Sequence, residues 1–198
     1  MGAGMSVLAD FALLTVRTPG EAARRLLERS WSREVLWTAF LLSVVLNTLV
    51  YTLQQVLFPL PAEVLVPRFS PGVYFALMMA VQIGFIAMLT TTGRWLGGDG
   101  DLKALLVLVV WLQLLQAAAN AVVSFVFLVL PILAALLNLG VNLLAFFILL
   151  HFVKEAHSFG SVWRALGVVL MASLILLFAA IFLAGLIGPA NLGLPDNV

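Results

Sequence analysis

Apolar residues run through this chain in five long stretches, and the segments before, between and after them carry all but three of its charged residues. A helix needs roughly 20 apolar residues to cross a hydrocarbon core about 30 Å thick. The pattern therefore predicts five crossings, over about residues 35–58, 73–95, 102–130, 131–153 and 162–187. Residues 102–153 form one unbroken apolar stretch that as a single helix would extend ~78 Å at 1.5 Å per residue, so two crossings must be folded into it. Pro131 marks the turn, because a turn at Asn138-Leu139-Gly140 would leave too few residues for the return. After the first crossing, Pro59, Pro61, Pro67 and Pro71 rule out a continuous helix and predict an irregular connection that carries only Glu63 and Arg68. Gly97-Gly98-Asp99-Gly100-Asp101 predicts a turn that draws on the positive φ angles open to glycine. Gly188 and Pro189 close the last helix ahead of a polar tail, so the chain divides into residues 1–34, a membrane domain over 35–188 and a tail over 189–198.

The first 34 residues read as two short amphipathic helices rather than a crossing. The second opens at Thr18-Pro19-Gly20-Glu21, with Thr18 suited to the N-cap, Pro19 to the first helical position and Glu21 to a capping box. Ala22, Ala23, Leu26 and Leu27 share one face, and Glu21, Arg24, Arg25, Glu28 and Arg29 take the other. Such a helix either lies in the headgroup plane or packs on the end of the bundle, and both readings place it at the membrane. Trp31 and Trp37 bracket the entry to the first crossing, as interfacial aromatic residues do.

Charge then sets an orientation. With five crossings, Arg17, Arg24, Arg25, Arg29, Arg33, Arg94, Lys103, Lys154 and Arg164 fall on one side, and Arg68 alone falls on the other. Basic residues collect in the cytoplasm, which predicts an N-terminus inside and a C-terminus outside. The composition agrees with a membrane solvent: 64% hydrophobic and 10% charged residues, against about 25% charged in soluble domains. A net charge of +1 makes no case for nucleic acid, and zero cysteines exclude disulfides, thiolate metal sites and a cysteine nucleophile. Residues 1–16 show no basic n-region and are interrupted by Asp10, so insertion is expected to rely on a retained helix.

Polar residues inside the spans form stripes. Asn47, Tyr51, Gln54 and Gln55 on the first crossing, Gln113, Gln116, Asn120 and Ser124 on the third, and Asn138 and Asn142 on the fourth recur at helical spacing, while Gln82 lies on the second. Amides in hydrocarbon are costly unless paired, so these stripes are expected to face inward and bond across helices. A polar route for a solute or a lipid headgroup is the alternative. Small residues at Ala117, Ala118, Ala119 and Ala121, and at Ala180, Ala184 and Gly188, predict close helix approach within the chain or to a second copy.

Candidate chemistry is sparse. His151, Glu155 and His157 are the one group with metal-ligand side chains, a weak signal for which a helix end becoming wet and facing a partner is the better account. Asp99 and Asp101 fall short of a calcium loop. Gly97, Gly98 and Gly100 lack the Lys-Ser/Thr that a phosphate loop requires, and Ser158 beside His157 has no nucleophile elbow. No catalytic residue, metal or cofactor is expected.

The layout resembles the Yip1 family of small membrane proteins. Thr18-Pro19-Gly20-Glu21-Ala22-Ala23-Arg24-Arg25-Leu26-Leu27 is similar to the segment before the membrane domain in bacterial members, and Leu96-Gly97-Gly98-Asp99-Gly100 to the glycine turn after their second crossing. Glu155-Ala156-His157-Ser158-Phe159-Gly160-Ser161-Val162-Trp163-Arg164-Ala165 is similar to their link between crossings four and five, with Ala156 and Phe159 departing from the pattern. The resemblance implies an all-α, five-helix protein of the bacterial inner membrane. Its expected role is non-enzymatic and membrane-organising, through a cytoplasmic surface of Arg24, Arg25, Arg29, Gly97, Gly98, Asp99, Glu155, His157 and Arg164. Expected partners are membrane lipids, with another membrane protein or a second copy of the chain as the protein candidates.

Overall fold

The computed structural model describes residues 2–57 and 69–187. These residues form seven helices and no strand: α1 (Gly2–Arg17), α2 (Pro19–Leu27), α3 (Arg33–Leu57), α4 (Pro71–Trp95), α5 (Leu102–Val129), α6 (Pro131–Ala156) and α7 (Val162–Ile187). The last five are long and apolar enough to cross a membrane. Phe58, the proline-rich connection with Glu63 and Arg68, and the expected stop at Gly188 and Pro189 with its tail lie outside the described residues.

Local chemistry sets most of the helix ends. Asp101 caps α5, its carboxylate accepting the Ala104 N–H at 2.7 Å. Ser70 does the same for α4 through the Val73 N–H, and Pro71 occupies the first turn, where its missing N–H costs nothing. Leu130 is the single residue between α5 and α6, and Pro131 begins the return as expected. The expected capping box at Thr18 and Glu21 does not form. The Thr18 backbone ends α1 and opens α2, donating to Leu14 O at 2.8 Å and accepting from the Ala22 N–H at 3.1 Å. Its hydroxyl turns back to Leu14 O, and Glu21 pairs with Arg25 instead.

Around the bundle the neighbours run α3, α4, α7, α6, α5 and back to α3, with α4 also touching α5. α3 and α5 run parallel. Ser43 Oγ donates to Gln113 Oε1 at 2.8 Å and Gln54 Nε2 donates to Ser124 Oγ at 3.1 Å, each pair 70 residues apart, so two bonds hold one register. α2 lies across α6 and α5 with Ala22, Ala23 and Leu26 buried, which selects packing on the bundle for this helix.

The main core cluster lies in one half, with Ala117 and Ala134 buried apart from it. Buried apolar residues cluster at Leu36 to Val44 on α3, Ile86 and Leu89 on α4, Leu105 to Leu112 on α5, Ala145 to Ala156 on α6 and Ala165 to Ala172 on α7. All of these lie towards the end that also carries Arg33, Arg94, Lys103, Lys154 and Arg164, here termed the basic end. In the other half Phe125, Val129, Ile132 and Phe182 are exposed, a state that costs little where the surroundings are acyl chains as apolar as leucine. Phe152, with none of its surface exposed, should therefore cost about 3–5 kcal/mol when truncated to alanine, and the exposed Phe125 far less. Unfolding titrations of Phe152→Ala and Phe125→Ala in mixed micelles check the contrast.

Candidate functional site

At the basic end the turn between α4 and α5 folds around one imidazole. His157, the residue that ends α6, is 1% exposed. Its Nδ1 accepts the Gly100 N–H at 3.0 Å, and Nε2 stands 3.2 Å from Leu89 O. A backbone N–H can only donate and a carbonyl can only accept, so the ring is neutral with its proton on Nε2. The backbones meet as well, the Asp99 N–H donating to His157 O at 3.3 Å. Phe159 stacks beside the ring at 5.3 Å.

Glycine makes the enclosure possible. A methyl group at Gly98 or Gly100 would stand 2.5–2.6 Å from ring or Cβ atoms of His157, and one at Gly93 would overlap the ring itself. Gly97 supplies the turn with φ +82°, and Ser158 takes φ 55° where the α6–α7 link leaves the cage. Four elements converge here: the end of α4, the glycine turn, the end of α6 and the link to α7. Thr92 Oγ1 adds a bond to Val168 O of α7 at 3.4 Å.

Around the cage lies a charged rim. Glu155 accepts from Arg24 of α2 at 2.9 Å and from Lys154 at 3.2 Å, and Gly20 of α2 approaches so closely that a methyl there would meet the carboxylate at 3.1 Å. The Arg24 side chain is 57% exposed, so the pair positions α2 more than it stabilises the fold. Arg29 lies over the Trp31 ring at 5.9 Å, while Trp31 Nε1 donates to Leu26 O at 2.8 Å. Arg164 is exposed at the start of α7.

Arg24, Glu155, Gly98, Asp99 and His157 are thus brought together, while Arg25 turns to Glu21 and Arg164 stands apart on its own helix. His157 corrects the reading of a wet helix end, since burial among glycines removes it from water. Gly93, Gly100, Leu89 and Phe159 were missed. The one available signal was the density of glycines at the end of α4 and in the turn that follows, at positions 93, 97, 98 and 100.

The intramembrane amides are divided. Gln113 and Gln54 bond across α3 and α5 as expected. Asn47 instead donates to its own helix at Ser43 O, and Tyr51 stacks on Tyr74 at 3.7 Å while its hydroxyl accepts the Phe69 N–H. Gln116 and Asn120 are half-buried on α5. Asn142 Nδ2 donates to Asn138 O and Oδ1 at 2.8 and 3.1 Å, so this exposed pair bonds within α6 instead of reaching across the bundle. Gln82 Oε1 is buried with no partner among the described residues.

A model of the Yip1 domain matches residues 13–183, nearly the whole helical part of the chain. The chain belongs to the Yip1 family. No curated protein and no solved structure matches it. Yip1 is a non-catalytic membrane family, and the match takes in α2, the glycine turn and the α6–α7 link, the elements that build the cage of this Yip1 domain.

Burial lowers the His157 pKa from its ordinary 6.5 and Arg94 adds to that effect, while the Leu89 carbonyl and the Asp99 charge oppose it. A proton on Nδ1 would also face the Gly100 N–H, donor against donor. The unfolded chain therefore binds a proton more readily than the folded one, so the cage's stability is full above pH 6.5 and declines as pH falls below it. In detergent, the melting temperature should drop between about pH 7.5 and about pH 5.5, and His157→Asn should flatten that part of the profile. Gly98→Ala should cost about 1–3 kcal/mol at neutral pH by overpacking, measured by the same unfolding titration.

Proposed function

We propose that this Yip1-family chain is a non-enzymatic, membrane-organising scaffold of the bacterial inner membrane, with its N-terminus in the cytoplasm and its C-terminus in the periplasm. The basic end is its docking face. Nine of the ten Lys and Arg residues lie on that side of a five-crossing chain, which supports the cytoplasmic assignment. The observation that carries the reading is the convergence of α2, the glycine turn and the α6–α7 link on His157 and Glu155. Three segments far apart in sequence are locked into one rigid surface, and its polar rim is turned outward.

The chemistry available to that surface is recognition. Arg24, Arg25 and Arg29 present guanidinium groups suited to carboxylates or phosphates, Asp99 is exposed on the glycine turn, and Arg164 extends the rim on α7. Both imidazole nitrogens are occupied by backbone groups, so His157 serves as the keystone of the surface rather than as an acid, a base or a ligand. A second membrane protein is the occupant that a shaped surface with mixed charge fits best, and anionic headgroups add roughly 1 kcal/mol per basic residue near the leaflet. The bonds between Ser43 and Gln113 and between Gln54 and Ser124 favour a packed α3–α5 seam over a solute route.

Crosslinking the full chain in native membranes tests this reading. The triple variant Arg24→Gln, Arg25→Gln, Arg29→Gln should lose most of the partner crosslinks formed from the basic end while retaining the melting temperature of the parent. An unchanged crosslink pattern would refute the docking face.

A further inference from the structure

α1 differs from α2 in what covers it. α2 buries its apolar face on protein, whereas α1 leaves Val7, Leu8, Leu13 and Val16 exposed at 66, 61, 47 and 42%. Only one edge of α1 is held by the bundle. Phe11 packs edge-on against Trp111 with ring centroids 5.1 Å apart, and the fully buried Thr15 accepts the Trp111 Nε1–H at 3.0 Å while donating to Phe11 O at 2.8 Å.

Trp111 gives this contact a depth. Trp95 closes α4 and Trp163 opens α7, both strongly exposed at the basic end, where indoles mark the headgroup level. Trp111 lies ten residues beyond the Asp101 cap, about 15 Å along α5 at 1.5 Å per residue. Side chains lean towards a helix N-terminus, so the indole reaches back and meets Thr15 between the tryptophan level and the middle of the bundle. The neighbouring surface is already exposed and apolar, with Phe146 and Phe147 exposed on α6, which α1 also touches.

The charges of α1 fit such a site. Asp10 and Arg17 are seven residues apart, two helical turns, and so lie on one side of the helix, where both are exposed. Leu8, Ala12 and Val16 recur every four residues on a different side. α1 thus has three sectors: Phe11 and Thr15 towards the protein, Asp10 and Arg17 towards headgroups, and Leu8, Ala12 and Val16, of which Leu8 and Val16 are left largely uncovered by the described residues.

We infer that α1 lies in the acyl-chain region of the basic-end leaflet, gripped by Trp111 along one edge, with lipid tails as the partner of its Leu8 and Val16 surface. The helix is a fixture in one leaflet only, adding cross-section on the basic side that the five crossings do not have on the other. This extends the membrane-organising reading and needs neither the docking face nor its occupant.

The chain contains no cysteine, so single substitutions can be labelled without background. Leu8→Cys and Val16→Cys, each in the full chain, would carry a nitroxide in vesicles of phosphatidylethanolamine and phosphatidylglycerol. Arg25→Cys serves as the aqueous reference and the exposed mid-span Leu49→Cys as the lipid reference. Collision with dissolved oxygen relative to a water-soluble nickel chelate should place both α1 sites nearer to Leu49→Cys than to Arg25→Cys. Values nearer to Arg25→Cys would put α1 in water, and shielding from both reagents would mean that protein covers it; either result overturns the inference. Loss of partner crosslinks in the Arg24, Arg25 and Arg29 variant leaves this measurement untouched, so the two readings fail separately.

Discussion

An uncompensated charge in hydrocarbon is costly enough to dictate where every ionisable residue of this chain stands. Within the five crossings the charged side chains occur only near the ends, and those at the basic end are brought together by the odd and even passage of the helices. Chemistry is thereby excluded from the interior and concentrated on a rim. The interior is left with amides, which are tolerable only when paired, and the Ser43–Gln113 and Gln54–Ser124 bonds show pairing that also sets the register of α3 against α5.

The uneven packing follows from the same solvent. In water, an exposed Phe125 or Ile132 would draw helices together along their whole length; in lipid nothing penalises it, so the bundle is tightly closed only where something other than hydrophobicity closes it. At the basic end that agent is polar. The imidazole of His157 satisfies a backbone donor on one side and a carbonyl on the other, and the glycines let the turn come close enough for both. Glu155 and Arg24 then draw α2 onto the same end, and the main buried cluster lies beneath.

Much of the fold was legible because periodicity and length report on lipid directly. Five apolar stretches, the reversal at Pro131 and the glycine turn appear where expected, with ends displaced by no more than three residues among those described. What escaped is of another kind. Thr18 has the right neighbours for a capping box, but α1 arrives so closely on α2 that its hydroxyl has a nearer acceptor in Leu14. His157 shares a helix end with His151 and Glu155, and nothing within that segment reveals that a turn from elsewhere in the chain will seal it from water. Asn138 and Asn142 have the spacing of an interhelical seam, yet four-residue spacing equally lets two amides satisfy each other on one helix.

The span of chain between the two halves of the cage sets an order on assembly. Gly100 and His157 are 57 residues apart, and α5 and α6 lie between them. A polypeptide delivered to the bilayer from its N-terminus holds an empty loop after α4 until both intervening helices have been inserted. Only then can the ring enter and the loop backbone acquire its partners, so the basic end matures late, as a seal on helices already in place.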